Sequence, residues 1–471
     1  MASTWIWRGS YDRLEKMTSN KERPLIAGER SGQPLYAEPW TEVKAGDAVL
    51  AWSDARAIDC SRFIGVWVLN ANGRKASQKS IDEKQNLWKR AGLCGGAPLE
   101  SERIYRVSAV DLEPVEMLRI NAAGKILQGK PLLPEGTGGW PEDPALRRVA
   151  RTATAALYAL GLDIGEAEVA LGGDGRTAVL DAWPKLRDTR LEAAALRRFA
   201  ARHAAAGAGI ADRQLLIGAD PEFVLVTQEG KIASASRFFG AGVGGAAGAD
   251  AVLVGRRLLY PVAELRPEPA ADPAALAANL RRLLQRAADR ISDPALRWAA
   301  GAMPVPGLAL GGHIHLSGAP LTGRLLRLLD SFAAFPLALV EDPAGRARRP
   351  RYGTLGDFRQ QPHGGFEYRT LPSWLVSPAA AKAAFALVLL CAREEQNLAY
   401  LPALEERYIE AYYTGDRSEL AGCLDGLAES MSATASYDDL APYIEPLLEA
   451  ARRGTTWDER ADIRIKWRMP I

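Results

Sequence analysis

The chain has 471 residues, 48% apolar and 25% charged, the balance of an ordinary globular protein with ample core and room for two to three domains. Lys+Arg 59 against Asp+Glu 57 leaves a net charge of +2, so no bulk field points to nucleic acid or to an acidic partner. Residues 1–8 lack a charged stretch followed by an apolar core, and the longest apolar run, 383–392, is too short to span a bilayer, so a cytoplasmic protein without membrane contact is expected. Cys60, Cys94, Cys391 and Cys423 lie far apart with no CxxC pair, which fits free thiols in a reducing compartment rather than a disulfide frame or a zinc site.

Residues 48–52 and 63–69 are predicted strands, and 80–91 a helix that Ser80 starts and Gly92 ends. Residues 115–121 form a further strand, followed by the turn Asn121-Ala-Ala-Gly124. Asp143-Pro144 supplies a cap and an N1 proline for a helix to about Leu160, closed by Gly161. Residues 167–171, 172–175 and 177–183 make a strand, turn and strand, a hairpin. From 103 to 186 this order resembles the C-terminal half of an ATP-grasp domain, on Leu118-Arg-Ile-Asn121, Gly138-Gly139, Ala159-Leu-Gly-Leu162 and Val179-Leu-Asp-Ala-Trp-Pro184. That family ends its last strand with acid-x-Asn before a proline, whereas here Asp181-Ala-Trp183 stands and the metal-binding asparagine is missing. The resemblance implies a degenerate, accessory ATP-grasp-like domain of mixed α/β type over 1–190. An alanine- and arginine-rich linker helix, 189 to about 206, then leads through Gly207-Ala-Gly209 to a second domain at 213–471.

In the second domain, Ile217-Gly-Ala-Asp220-Pro-Glu222-Phe-Val-Leu-Val226 reads as a strand with Asp220 and Glu222 on one side. The glycine-rich Phe238–Gly248 stretch lacks the ending of a phosphate-binding loop and marks flexible or closely approached backbone, a plain loop or one against which a nucleotide or peptide lies. Tyr260-Pro-Val-Ala-Glu264-Leu-Arg266-Pro-Glu268 puts three charges on one side of a strand. Asp272-Pro273 opens an amphipathic helix with Leu276, Leu280, Leu283, Leu284 and Ala287 on one face. In Gly311-Gly-His-Ile-His-Leu-Ser-Gly318, two of the chain's four histidines, His313 and His315, share a face. A helix over 321–339 and the basic stretch Arg346-Ala-Arg-Arg-Pro-Arg-Tyr-Gly353 follow; the stretch is either solvated charge or a loop that closes over phosphates. Glu367 and Arg369 then share a side, and helices are expected over 379–400, 405–413, 418–430 and 442–453, with the tail 457–467 docking back on the core.

If the four polar strands share a sheet, one face gathers carboxylates, two histidines and arginines. Clustered carboxylates repel one another unless cations sit between them. Carboxylate oxygens with an imidazole suit Mg²⁺ or Mn²⁺, and nearby arginines suit phosphate or carboxylate groups, the inventory of a nucleotide-dependent phosphoryl-transfer site. A zinc hydrolase using His313 and His315 is disfavoured by the excess of carboxylates, and a catalytically silent binding protein by the concentration of acids on every polar strand.

Gly218-Ala-Asp-Pro-Glu222, Glu264-Leu-Arg-Pro-Glu268, Gly311-Gly-His-Ile-His315, Arg351-Tyr-Gly353 and Gly365-Phe-Glu-Tyr-Arg369, in this order, resemble the phage-type carboxylate-amine ligases, the second type of amidoligase, in the glutamine synthetase and glutamate-cysteine ligase fold group. The resemblance implies an α+β fold, a curved, largely antiparallel sheet with a metal-binding concave face and helices behind. It implies a ligase that phosphorylates a carboxylate with ATP and lets an amine attack the acyl phosphate, using Mg²⁺ or Mn²⁺. Carried over, Asp220, Glu222, Glu264, Glu268 and Glu367 are candidate metal ligands with His313 or His315, while Arg369, Arg266 and Arg351 steady the transferred group and Arg359 and Tyr352 face the nucleotide. Small-molecule or peptide carboxylates and amines are the expected partners, and self-association is left open.

Overall fold

A computed structural model describes residues 2–7, 14–17, 25–26, 43–51, 65–96, 102–131, 139–209, 214–240, 245–254, 257–362 and 364–469. The chain divides into Met1–Asp212 with Thr322–Arg324, and Arg213–Leu321 with Leu325–Ile471.

The first unit carries two five-stranded sheets. One orders β1 (Thr4–Trp7), β2 (Leu14–Lys16), β3 (Leu25–Ile26), β4 (Ala48–Ala51) and β5 (Trp67–Leu69) as β3-β2-β1-β4-β5, with β1, β4 and β5 parallel. The predicted 48–52 and 63–69 strands are these last two; Trp52, residues 63–64, Cys60 and Gly138 lie outside the described residues. After α1 (Gly73–Gln78), α2 (Ile81–Arg90) starts where Ser80 predicts. Glu83 N donates to Ser80 Oγ at 3.3 Å and Ser80 N to the Glu83 carboxylate at 2.7 Å, a reciprocal cap. The second sheet is antiparallel, with β6 (Arg103–Val110), β7 (Glu113–Ile120), β8 (Ile126–Pro131), β9 (Ile164–Leu171) and β10 (Thr177–Trp183) ordered β10-β9-β6-β7-β8. Asp143 caps α3 (Pro144–Ala159) by accepting from Ala145 N and Leu146 N at 2.8 and 2.9 Å, and this helix packs its buried Val149, Ala153 and Leu157 on the sheet. The linker helix α4 (Thr189–Gly209) runs through the three residues expected to end it.

The second unit is built on β11 (Leu216–Val226), the longest strand of an eight-stranded sheet. With β12 (Ile232–Ala233), β13 (Ala247–Val254), β14 (Arg257–Leu265), β15 (Arg297–Ala299), β16 (Gly312–Ser317), β17 (Phe358–Gln360) and β18 (Phe366–Tyr368), the order is β13-β14-β11-β16-β18-β17, β12 and β15 pairing with β11. Every pairing is antiparallel and the sheet is strongly curled, giving an α+β fold. Alternation works as expected: Ile217, Ala219, Phe223, Leu225, Ala263, Leu265, Ile314 and Leu316 are buried on one face, where Phe223 stacks on Trp298 at 5.1 Å. The opposite face is polar along half of β11 and apolar beyond, where Val224, Val226 and Val262 meet Ala299 and Leu310.

Helix α5 (Pro273–Arg290) begins at the predicted Asp272 cap and buries Leu276, Leu280, Leu283, Leu284 and Ala287. The predicted 321–339 helix is α6 (Gly323–Leu329), a π-helical turn Asp330–Ala334 and α7 (Phe335–Val340). The C-terminal helices differ in extent. α8 (Pro378–Arg393) stops well before Tyr400, because Glu394 turns aside to accept from Asn397 and Ser436. After α9 (Glu406–Thr414), the single helix expected over 418–430 is two, α10 (Arg417–Ala421) and α11 (Leu424–Ser432), parted at Gly422 and Cys423. α12 (Tyr437–Arg452) starts before Pro442 and carries it and Pro446 in its interior, the burial of Tyr437, Leu440 and Ile444 outweighing the lost backbone donors. The tail docks as α13 (Ile463–Trp467), with Trp467 Nε1 donating to Leu375 O at 2.7 Å. Among the described residues no helix is long and apolar enough to cross a membrane, and Cys94, Cys391 and Cys423 are free.

Candidate functional site

β11 sets the register of the polar face. Against β14 it places Glu222 opposite Glu264, and against β16 it places Asp220 opposite His313 and Gly218 opposite His315. β18 lies on the far side of β16 with Glu367 opposite His315, and β17 places Arg359 opposite Glu367. Five strands thus deliver their polar positions to one row. Backbone has to stay bare here: a Cβ on Gly311 would lie 2.5 Å from His313 Nε2, and one on Gly312 2.5 Å from Pro372 O.

Asp220, buried, is the hub. Its Oδ1 lies 3.2 Å from His313 Nδ1 and its Oδ2 3.2 Å from His315 Nε2, while His313 Nδ1 is also 3.2 Å from Glu367 Oε1. Yet Asp220 Oδ1 and His315 Nε2 are buried without a well-formed hydrogen bond. Burial works against the Asp220 carboxylate, but His313 and His315 outweigh it and hold its pKa well below the usual range. His313 is raised, burial being overcome by Asp220 and then Glu222. Glu222 is pushed up by burial, against His313 and the Gly311 N–H that donates to its Oε2 at 2.6 Å. Glu264 is raised to about 7 by burial and the charge of Asp220, with Arg266, 2.6 Å away, opposing.

Glu367, fully buried, is clasped by arginines. Arg359 Nε and Nη2 donate to its two oxygens at 2.7 and 2.8 Å, Arg369 Nη1 donates at 2.7 Å and Gln361 Nε2 at 3.1 Å. Burial disfavours its charge, but Arg359 and His313 hold its pKa below the ordinary value.

Of the sequence-predicted residues, Asp220, Glu222, Glu264, His313, His315, Glu367, Arg266, Arg359 and Arg369 therefore share one face. Glu268 follows the end of β14 at Leu265 and is exposed, so strand alternation does not place it with them. Arg351 and Tyr352 are exposed and lie on each other, guanidinium to ring 5.5 Å. The basic stretch divides. Arg348 is buried and ties Thr370 O and Leu371 O, each at 2.8 Å, while Arg349 pairs with buried Glu341 and covers the Tyr412 ring at 4.3 Å. These two arginines are anchors of the fold.

Sequence reasoning missed Asp250, on β13, and Asp357, 3.5 Å from Arg369. The apolar run Ala251-Val-Leu-Val254 after Asp250 is the signal for a strand there, obscured by the glycine-rich stretch before it. Two groups of ligand atoms arise, each within 4.8 Å: Asp220, His313 and Glu367, and Glu222, Asp250 and Glu264. Hard oxygens dominate both, and the orphaned Asp220 Oδ1 leaves the first with a polar atom to satisfy, so these residues fit a divalent cation.

No curated protein matches the chain. Among solved structures it is similar to the ATP-grasp ligase PsnB complexed with minimal precursor, at 14% identity and a TM-score of 0.21 over 30% of this chain and 66% of that one. It is also similar to a bifunctional glutathione synthetase from Pasteurella multocida, at 11% identity and a TM-score of 0.31 over 54% of this chain and 52% of that one, and to apo GmaS, at 14% and 0.28 over 78% and 96%. The chain thus spans under two thirds of PsnB and about half of the glutathione synthetase, and at such TM-scores the likenesses bear on neither fold nor activity. A family model does match, over residues 217–469, which hold all the polar strands and the helical tail: that of the phage phiEco32-like COOH·NH2 ligase, type 2. The chain belongs to this family.

Proposed function

We propose that the polar sheet face joins a carboxylate to an amine at the expense of ATP, through an acyl phosphate. The observation that carries this is the pair of oxygen-rich ligand groups on one curled sheet, one of them including the arginine-clasped Glu367. Asp220, His313 and Glu367 hold one divalent ion and Glu222, Asp250 and Glu264 another. Bound there, Mg²⁺ or Mn²⁺ supplies neutralisation of phosphate charge. The substrate carboxylate oxygen attacks the γ-phosphorus of ATP and ADP leaves; the amine then attacks the acyl carbon, phosphate leaves, and the amide remains. Arg359, whose side chain is about half exposed at 52%, exchanges Glu367 for a phosphate oxygen, while the less exposed Arg369 stays on Glu367 and orients it. Arg266 shields Glu264 and lies at the edge of the same face.

The first unit is accessory in this scheme. Asp181, near the end of its last strand, is held by Lys84 at 2.8 Å, so a cation of the chain itself occupies the acid that resembles an ATP-grasp metal ligand. Incubation of the full chain with ATP, Mg²⁺ and pools of carboxylic acids and amines, followed by phosphate release, tests the scheme. Release is expected only with acid and amine together, and is lost in Asp220→Asn; no release with any pair, or Zn²⁺-dependent hydrolysis without ATP, would remove it.

A further inference from the structure

The docked tail closes a groove that shares no residue with the polar strands. The α5 surface, the start of α8 and the segment 456–468 enclose about 850 Å³. Alanines of α5, among them Ala277 and Ala278, make a low floor, and the half-buried Trp457 stands on the wall. Arg281, Lys382, Lys466 and Arg468 also line it, with Asp458 as their acidic neighbour, and Asp458 Oδ1 is taken by Arg460 N at 3.0 Å. Among the described residues these four cations form no ion pair; Lys382 has a cation–π contact, its Nζ 5.8 Å from the Tyr443 ring.

Elsewhere the chain gives its converging cations a carboxylate, as Glu367 does for Arg359 and Arg369 and Glu113 for Arg198 and Arg202. Four like charges around one cavity against the single acid Asp458 leave a net positive lining that favours an anion. The positive end of the 16-residue α8 opens on the same groove through Ser377 and Pro378. The volume lies within the range of about 300–1,000 Å³ usual for small-ligand sites. An extended acidic peptide spaces its same-side carboxylates by about 6.6 Å and spreads its charge along a channel. A polyphosphate concentrates several charges at one place, and the apolar floor beside Trp457 leaves room for a planar body.

We propose that this groove binds an organic polyphosphate of nucleoside diphosphate or triphosphate size, at a site separate from the ligase face. The proposal stands whether or not that face works as argued above. Full-length protein is titrated with ADP and with inorganic tripolyphosphate by calorimetry, and hydrogen exchange is followed with and without each. Both probes are expected to slow exchange in 376–382 and 456–468. The triple variant Arg281→Gln/Lys466→Gln/Arg468→Gln, all exposed positions, is expected to lose that protection and to bind at least tenfold more weakly there, while keeping any protection over 358–369. Lys382→Gln alone is expected to weaken binding in the same direction, which guards against misfolding of the triple variant. Absence of protection in these segments, or equal protection in the triple variant, overturns the proposal. Tighter binding there of hexaglutamate or of a single-stranded oligonucleotide than of ADP overturns it equally.

Discussion

Glu264 makes the ligase face titrate near neutrality, and this can be measured without knowing either substrate. Burial and the neighbouring Asp220 raise its carboxyl from an ordinary 4.5 to about 7 despite Arg266. On the proposed scheme a divalent ion held by Glu222, Asp250 and Glu264 would compete with that proton, so Mn²⁺ affinity should be level above pH 7 and fall tenfold per unit below it. At pH 5.5 only about 3% of Glu264 is ionised, which predicts binding about thirtyfold weaker than at pH 8. The sign for stability is opposite to that of a salt-bridged acid. Because the folded chain holds this proton more tightly than the unfolded chain, metal-free protein should lose stability as pH rises from about 4.5 to 7, by up to about 3 kcal/mol, and Mn²⁺ should restore it above pH 7. Calorimetric or Mn²⁺ resonance titration across this range gives the affinity, and urea unfolding the stability. In Glu264→Gln both slopes should flatten. A wild-type Mn²⁺ affinity that does not change between pH 5.5 and 8 would refute the assignment of Glu264 to that ion.

Glu459, buried in the tail, accepts from Ala302 N and Met303 N at 2.8 Å and from Asp342 N at 3.3 Å, so Glu459→Ala strands three backbone donors and should cost about 3–5 kcal/mol in urea unfolding. Its carboxyl is raised to about 7, by burial first. The stability difference between wild type and Glu459→Gln should therefore shift by about 2–3 kcal/mol in favour of the variant from pH 5 to pH 8, and a flat difference would contradict it. Beneath β18, Asp330 accepts from Tyr368 Oη at 2.6 Å and Gly356 N at 3.0 Å. Tyr368→Phe should cost about 1–2 kcal/mol and Asp330→Ala about 3–5, and equal costs would show that the Gly356 contact contributes nothing.

The strands that bear the site were legible because a half-buried strand alternates: Asp220 with Glu222 and His313 with His315 announce both the element and its polar face. Their order across the sheet was not. That Glu264 faces Glu222 while Glu367 faces His315 depends on pairing between strands up to about 100 residues apart, such as Phe223 with Ala263 and Gly218 with His315, and no local pattern encodes it. Glu268 lies past the end of β14, so the alternation that carries Glu264 says nothing of where its side chain falls. Asp250 was hidden in the other direction, by glycines that suggested a loop. The basic stretch around Arg348 shows that composition cannot separate an arginine turned in to Thr370 O from one left in solvent, such as Arg351. Helix caps were more reliable, since Ser80, Asp143 and Asp272 each act on backbone donors within three residues of themselves.

Counting bound Mn²⁺ by resonance spectroscopy, in wild type, in Asp220→Asn and in Glu264→Gln, bears most directly on the claim that the curled sheet is a two-ion ligase face. The wild type is predicted to bind two ions, Asp220→Asn to lose the one shared with His313 and Glu367, and Glu264→Gln to lose the other. Equal Mn²⁺ binding in all three proteins would contradict it.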